Sequence, residues 1–119
     1  GGYPLACVVS IFATKVLVEQ SLAKNARIRG AQLMQHFNDI KSEFPDKIKE
    51  VRGKGLLIAF EMFNKPHLDG HRVSLELLNH GVYAKETHHS TVRIAPALTI
   101  EAWQIDNIAE AVRDVVSNL

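Results

Sequence analysis

The sequence predicts an α+β domain, a small, mainly antiparallel sheet with helices packed on one face. Three observations carry that expectation. The chain has 119 residues and is 46% hydrophobic, which is one domain's length with apolar content for a single core. Long stretches with apolar residues at helical spacing alternate with short runs of period two. The short runs are joined by tight turns, which favour antiparallel neighbours with the helices gathered on one side. The expected order is α-α-β-β-α-β-β-α.

The elements follow in chain order. Pro4 suits the first turn of a helix, where its missing N–H costs nothing. Residues Leu5 to Gln20 then read as a helix that is apolar nearly all round. Such a helix is buried on most sides or lies at an interface, and its first place in a small chain favours an interface or a neighbouring domain. Ser21 is expected to cap a second helix, Leu22 to Glu43, whose apolar stripe is Leu33, Met34, Phe37, Ile40 and Phe44. Phe44-Pro45-Asp46 ends it. Lys47 to Val51 reads as a weak strand and Arg52-Gly53-Lys54-Gly55 as a turn or bulge. Leu56 to Met62 reads as a strong strand with Leu56, Ile58, Phe60 and Met62 on one face. A helix from Leu68 to Asn79 follows, ending before Gly81, a left-handed cap position. Short strands are expected at Val82–Lys85 and Thr91–Ala95, the latter stopped by Pro96. A last helix, Glu101 to Ser117, carries Ile105, Ile108, Ala109, Val112, Val115, Val116 and Leu119 toward the core.

Composition narrows the function. Fourteen Lys+Arg against thirteen Asp+Glu leave a formal charge of +1, without the clustered positive charge that a nucleic-acid or membrane surface requires. No repeat or low-complexity tract interrupts the chain. The run from Leu5 to Val18 is broken by Ser10, Thr14 and Lys15. It falls short of the about 20 apolar residues of a membrane span and lacks the basic start of a signal peptide. The single cysteine, Cys7, sits in an apolar run and cannot form an internal disulfide, so a reducing compartment is the natural reading. The chain opens Gly1-Gly2-Tyr3-Pro4 without an initiator methionine and enters apolar sequence at once. That start is expected of an excised domain, with part of its function outside these residues.

Few residues carry chemistry on spacing alone. Gly53 and Gly55 do not fit a P-loop, which separates its glycines more widely and follows them with Lys-Ser/Thr. A bulge is the expected role. His67 and His71 have i,i+4 spacing, but no Glu follows His67 and Gly70 weakens a helix there, so no metal site is expected. His88 and His89 fall in a polar connection and read as turn residues. No Ser-His-Asp or Cys-His arrangement and no close carboxylate pair stands out, so no catalytic residue is assigned. Arg93 differs. Val92 and Ile94 share the strand face that meets the helices, so Arg93 projects from the opposite face just before Pro96. A guanidinium there could grip a carboxylate bidentately or simply be solvated, and spacing leaves both open.

Four segments taken together, Gly1-Gly2-Tyr3-Pro4-Leu5-Ala6-Cys7, Val51-Arg52-Gly53-Lys54-Gly55-Leu56-Leu57, Tyr83-Ala84-Lys85-Glu86-Thr87-His88 and Val92-Arg93-Ile94-Ala95-Pro96-Ala97-Leu98, resemble the C-terminal domain of class III, fold-type I aminotransferases. The Ala-Lys-Glu-Thr-His segment resembles the ornithine rather than the acetylornithine branch. The resemblance implies a small C-terminal domain, residues 21–119, joined by a connector helix, residues 1–20, to a large domain that holds pyridoxal 5′-phosphate (PLP). It implies transfer of the δ-amino group of ornithine to 2-oxoglutarate in a homodimer or higher homo-oligomer, in cytoplasm or, in a eukaryote, the mitochondrial matrix. Arg93 matches the family arginine that binds the α-carboxylate of glutamate or 2-oxoglutarate. Gly1 and Gly2 match glycines that follow a phosphate-contacting residue. Lys85 does not match the cofactor lysine, which the resemblance places in the large domain, so these residues alone are expected to be inactive. Two departures stand out, Tyr3 where the family usually has Asn and Ala97 where it has a second Pro. The rival readings are another class III ω-aminotransferase, such as an acetylornithine enzyme, and a non-catalytic carboxylate-binding or interaction module.

Overall fold

The structure, a computed structural model, describes residues 5–119, with side chains from residue 13 onward. Three helices and four strands follow one another: α1 (Leu5–Glu43), β1 (Ile48–Lys54), β2 (Leu57–Met62), α2 (Gly70–Asn79), β3 (Lys85–Thr87), β4 (Thr91–Ile94) and α3 (Ala102–Ser117). The strands form one antiparallel sheet in the order β1-β2-β4-β3. The expected α+β class is what the chain adopts.

One sheet face carries the core. Ile58, Phe60 and Met62 of β2 and Val92 and Ile94 of β4 are buried there with Leu33, Phe37 and Ile40 of α1, Val73 and Leu77 of α2, and Ile105, Val112 and Val116 of α3. Phe37 meets Phe60 edge-to-face at 5.5 Å, the arrangement that ring quadrupoles favour. The alternation read from Leu56 to Met62 and the stripe read on α3 both hold.

Besides one-residue shifts at the ends of β2, β4 and α3, four features differ from expectation, each for a physical reason. The two expected N-terminal helices are one, because Ser21 is an exposed mid-helix residue, not a cap. No Gly or Pro lies near it, and the Ala, Lys and Arg that follow are strong helix formers. Arg52, Gly53 and Lys54 continue β1 instead of turning. Lys54 pairs with Leu57, so the turn is Gly55-Leu56, and the register shift lies between Ile48 and Glu50. Gly55 has φ +56, and a two-residue hairpin with a left-handed first residue calls for glycine there. α2 starts at Gly70, since the Asp69 carboxylate caps it by accepting from the His71 N–H at 3.0 Å. Finally, β3 is Lys85–Thr87, not Val82–Lys85. The Val82 N–H donates to the Leu77 carbonyl and the Gly81 N–H to that of Leu78. This is the Schellman closure of α2, with Gly81 at φ +82, and it holds Val82 to the helix end.

The hairpin of β1 and β2 docks on α1 by backbone contact. A Cβ placed on Gly30 would stand 2.0 Å from the Gly55 carbonyl oxygen, so only glycine allows helix and turn to meet this closely.

Candidate functional site: the open sheet face around Arg93

The sheet face away from the helices is polar, and antiparallel register arranges it in rows. One row runs Arg52, Ala59, Arg93, Lys85 and the next Glu50, Glu61, Thr91, Thr87. Directly opposite residues of an antiparallel pair share a face, so parity places Arg93 on this face, as the alternation of β4 predicts. Val92 and Ile94 are buried on the other side.

The two halves of this face differ in charge pairing. On the β1–β2 half, the Arg52 Nη1 lies 3.2 Å from Glu61 Oε1 and 3.4 Å from Glu50 Oε2, and the Lys49 Nζ lies 3.5 Å from Glu61 Oε2. On the β3–β4 half, Arg93 is half-buried and Lys85 exposed. Among the described residues, neither has an acidic partner. Ala59, a small side chain, stands between Arg52 and Arg93. Thr91, on the row beside Arg93, is 5% exposed. A guanidinium with its fork unspent beside a small residue can receive a planar carboxylate bidentately.

The remaining sequence candidates separate from this site. His67 precedes α2 while His71 lies within it, so they do not share a helical face. No group of His, Cys, Asp or Glu among the described residues could hold a metal ion. His71, His36 and His80 instead tie elements together. His71 Nδ1 lies 3.1 Å from Glu86 Oε1, joining α2 to β3. His36 Nε2 lies 2.9 Å from Asp106 Oδ1, joining α1 to α3. His80 Nδ1 donates to the Glu76 carbonyl at 2.8 Å and Nε2 reaches Asp114 Oδ2 at 2.8 Å, joining α2 to α3. The Glu76 carbonyl first, and then the Asp114 carboxylate, raise the His80 pKa above its ordinary 6.5. His36 and then Gln32 lower that of Asp106. His88 and His89 form the β3–β4 turn, both left-handed at φ 54 and 64. A cleft of about 660 Å³ lined by Glu43, His80, Glu110 and Arg113 lies at the far ends of the helices, away from Arg93. Gly1, Gly2, Tyr3 and the Cys7 side chain lie outside the described residues.

A class-III aminotransferase model matches residues 1–116. The chain belongs to the class-III aminotransferases. It is 40% identical to the mitochondrial ornithine aminotransferase of Arabidopsis thaliana over 98% of its own length and 25% of that protein's. It is 39% identical to ornithine aminotransferase 1 of Staphylococcus saprophyticus over 98% of the chain and 28% of that protein. Among solved structures, the Plasmodium falciparum ornithine δ-aminotransferase superposes with a TM-score of 0.72 at 35% identity, covering 99% of this chain and 30% of that one. The acetylornithine aminotransferase of Elizabethkingia anophelis superposes at 0.78 with 28% identity, covering 98% of this chain and 29% of that one. The chain thus spans about a quarter of the length of the curated relatives it matches.

Class-III aminotransferases are in general PLP-dependent. The described residues do not by themselves fit that group. Lys15, Lys24, Lys49, Lys54, Lys65 and Lys85 are exposed. Half-buried Lys47 donates to the Val116 carbonyl at 3.1 Å, and half-buried Lys41 lies in the last turn of α1. None stands in a dry, enclosed pocket of the kind that makes a lysine amine nucleophilic.

The alternation of β4 puts Arg93 on this face in advance of the structure, while Lys85 beside it was not legible. The misplaced third strand hid the pairing. The one available signal was the even spacing of Lys85 and Arg93 about a central turn residue.

Proposed function

We propose that this chain is the C-terminal segment of an ornithine–oxo-acid aminotransferase, which moves the δ-amino group of ornithine to 2-oxoglutarate. The products would be glutamate semialdehyde, which cyclises to pyrroline-5-carboxylate, and glutamate. The observation that carries this reading is Arg93, a half-buried arginine on the open sheet face without an acidic partner among the described residues. It stands in a chain whose relatives are ornithine aminotransferases over nearly its whole length. Its role is to bind and orient a carboxylate of the oxo acid or of glutamate, through two parallel N–H···O bonds.

PLP would be held by residues outside this chain, with Gly1 and Gly2 following a residue that contacts its phosphate. The same reading makes residues 1–20 the connector to a large domain and residues 21–119 the small domain, in a fold-type I homodimer or larger homo-oligomer. Leu17 and Val18, 66% and 52% exposed on α1, suit a connector that packs against another domain. No described helix is long and apolar enough to cross a membrane. The relatives include mitochondrial and bacterial proteins, and the compartment follows the source.

The test is to express the complete reading frame that contains these residues and supply PLP and 2-oxoglutarate with ornithine or N-acetylornithine. Formation of pyrroline-5-carboxylate from ornithine is the expected result. Preference for N-acetylornithine would move the chain to the acetylornithine branch. The absence of any amino transfer would leave a carboxylate-binding module.

A further inference from the structure

We propose that Lys85 is the second cation of the carboxylate site centred on Arg93, so that one carboxylate of the oxo acid is held between a guanidinium and an ammonium. The inference rests on the proposed role of Arg93 and adds a residue to it.

Three observations carry it. Lys85 and Arg93 are direct register partners across the β3–β4 pair, so their side chains leave the same face within a few ångströms at Cβ. Like charges directly opposite one another destabilise a sheet, yet no described acid offsets these two. Elsewhere on the same face, Arg52 and Lys49 pair with Glu61 and Glu50, while Lys54, two residues along β1 from Arg52, has no acidic partner among the described residues. Lys85 and Arg93 differ from Lys54 in being direct neighbours with no described acid paired to either. An anion placed between them converts a repulsion into two charge-assisted contacts.

The surroundings favour a small ligand. Ala59 flanks Arg93 on the other side in the same row, which leaves the floor of the sheet low beside the guanidinium. Lys85 lies on an edge strand, where lysine also discourages strand addition. That role would affect solubility and would leave ligand affinity unchanged.

The experiment titrates the complete protein that contains these residues with 2-oxoglutarate and follows binding by calorimetry, with sodium chloride at matched ionic strength as control. Lys85→Gln, Lys85→Arg, Arg93→Gln and Lys54→Gln are compared, all at positions that leave the core untouched. The expected result is saturable binding, weakened about tenfold or more by Lys85→Gln, the scale of a hydrogen bond to a charged group. Lys85→Arg should largely restore it and Lys54→Gln should leave it unchanged. Binding that Arg93→Gln abolishes and Lys85→Gln leaves intact would overturn the inference and spare the role of Arg93. Heats that sodium chloride reproduces, or that Arg93→Gln does not change, would overturn both.

Discussion

In the role proposed for it, Arg93 needs both its charge and its planar fork. A lysine in its place would keep the charge and lose the planar fork. On the proposed function, Arg93→Lys in the complete protein is expected to slow the half-reaction that consumes 2-oxoglutarate. The expected loss is about 1.5–3 kcal/mol of stabilisation, the scale of a hydrogen bond to a charged group. The ornithine half-reaction should suffer less, because that substrate offers its δ-amine. Single-turnover measurements on each half separate the two, and equal slowing of both would make Arg93 structural. A second residue-scale expectation concerns His89, left-handed at φ 64 with its carbonyl accepting from the Gly70 N–H at 2.7 Å. A left-handed conformation costs an L-residue about 1–2 kcal/mol, partly offset by the chain entropy that glycine brings to the unfolded state. His89→Gly should therefore stabilise by up to about 1 kcal/mol in urea melts. His89→Val should destabilise, since a β-branched residue fits that conformation worst.

The elements hold together through a few close approaches, and the tightest is the seat of the β1–β2 turn on α1 at Gly30. Gly30→Ala should cost about 1–3 kcal/mol, the usual range for overpacking, because the atom it meets is a backbone oxygen that cannot rotate away. Thermal unfolding of the single variant measures it. An unchanged midpoint would mean that the hairpin is free to lift off the helix. Such contacts explain which parts of the fold could be read in advance. Ile58, Phe60 and Met62 alternate, and Ile105, Val112 and Val116 repeat at helical spacing, so the faces they bury follow from period alone. Arg93 was legible for the same reason, as the odd residue between Val92 and Ile94. Ser21 was not, since an exposed serine inside a helix and one that caps a helix look alike in one dimension. The start of β3 was not legible either, because the Schellman closure that detains Val82 is a backbone event. Lys85 opposite Arg93 was hidden with it. Their register depends on a turn built from two left-handed histidines, and side-chain preference gives no hint of that.

At the scale of the whole molecule, the chain has a radius of gyration of 18.2 Å, against about 13.5 Å for a compact domain of this length. α1 accounts for the difference by running beyond the sheet. Its exposed Leu17 and Val18 should drive self-association of the 119-residue chain, to be read as a concentration-dependent sedimentation coefficient. Leu17→Ser with Val18→Ser should reduce it. The helices are also tied by titratable pairs. His80 is protonated in both folded and unfolded chains below its ordinary pKa of 6.5, so its contribution is complete there. It is lost as the pH rises from 6.5 through the raised native value. Asp106, whose native pKa is lowered, contributes above its ordinary 3.8 and is lost as the pH falls through the native value. Stability should therefore decline on both sides of a weakly acidic maximum. His80→Gln should flatten the alkaline limb and Asp106→Asn the acid limb in urea melts across pH. The held end of α1 acts at this scale too, as a fulcrum. The Asn25 amide donates to the Leu98 and Ile100 carbonyls at 2.7 and 2.9 Å. From there back to Leu5 the helix is an arm about 30 Å long, and a tilt of about 5° swings its tip by about 3 Å. A body attached to that tip would feel a small change at the held end of the helix as a displacement of that size.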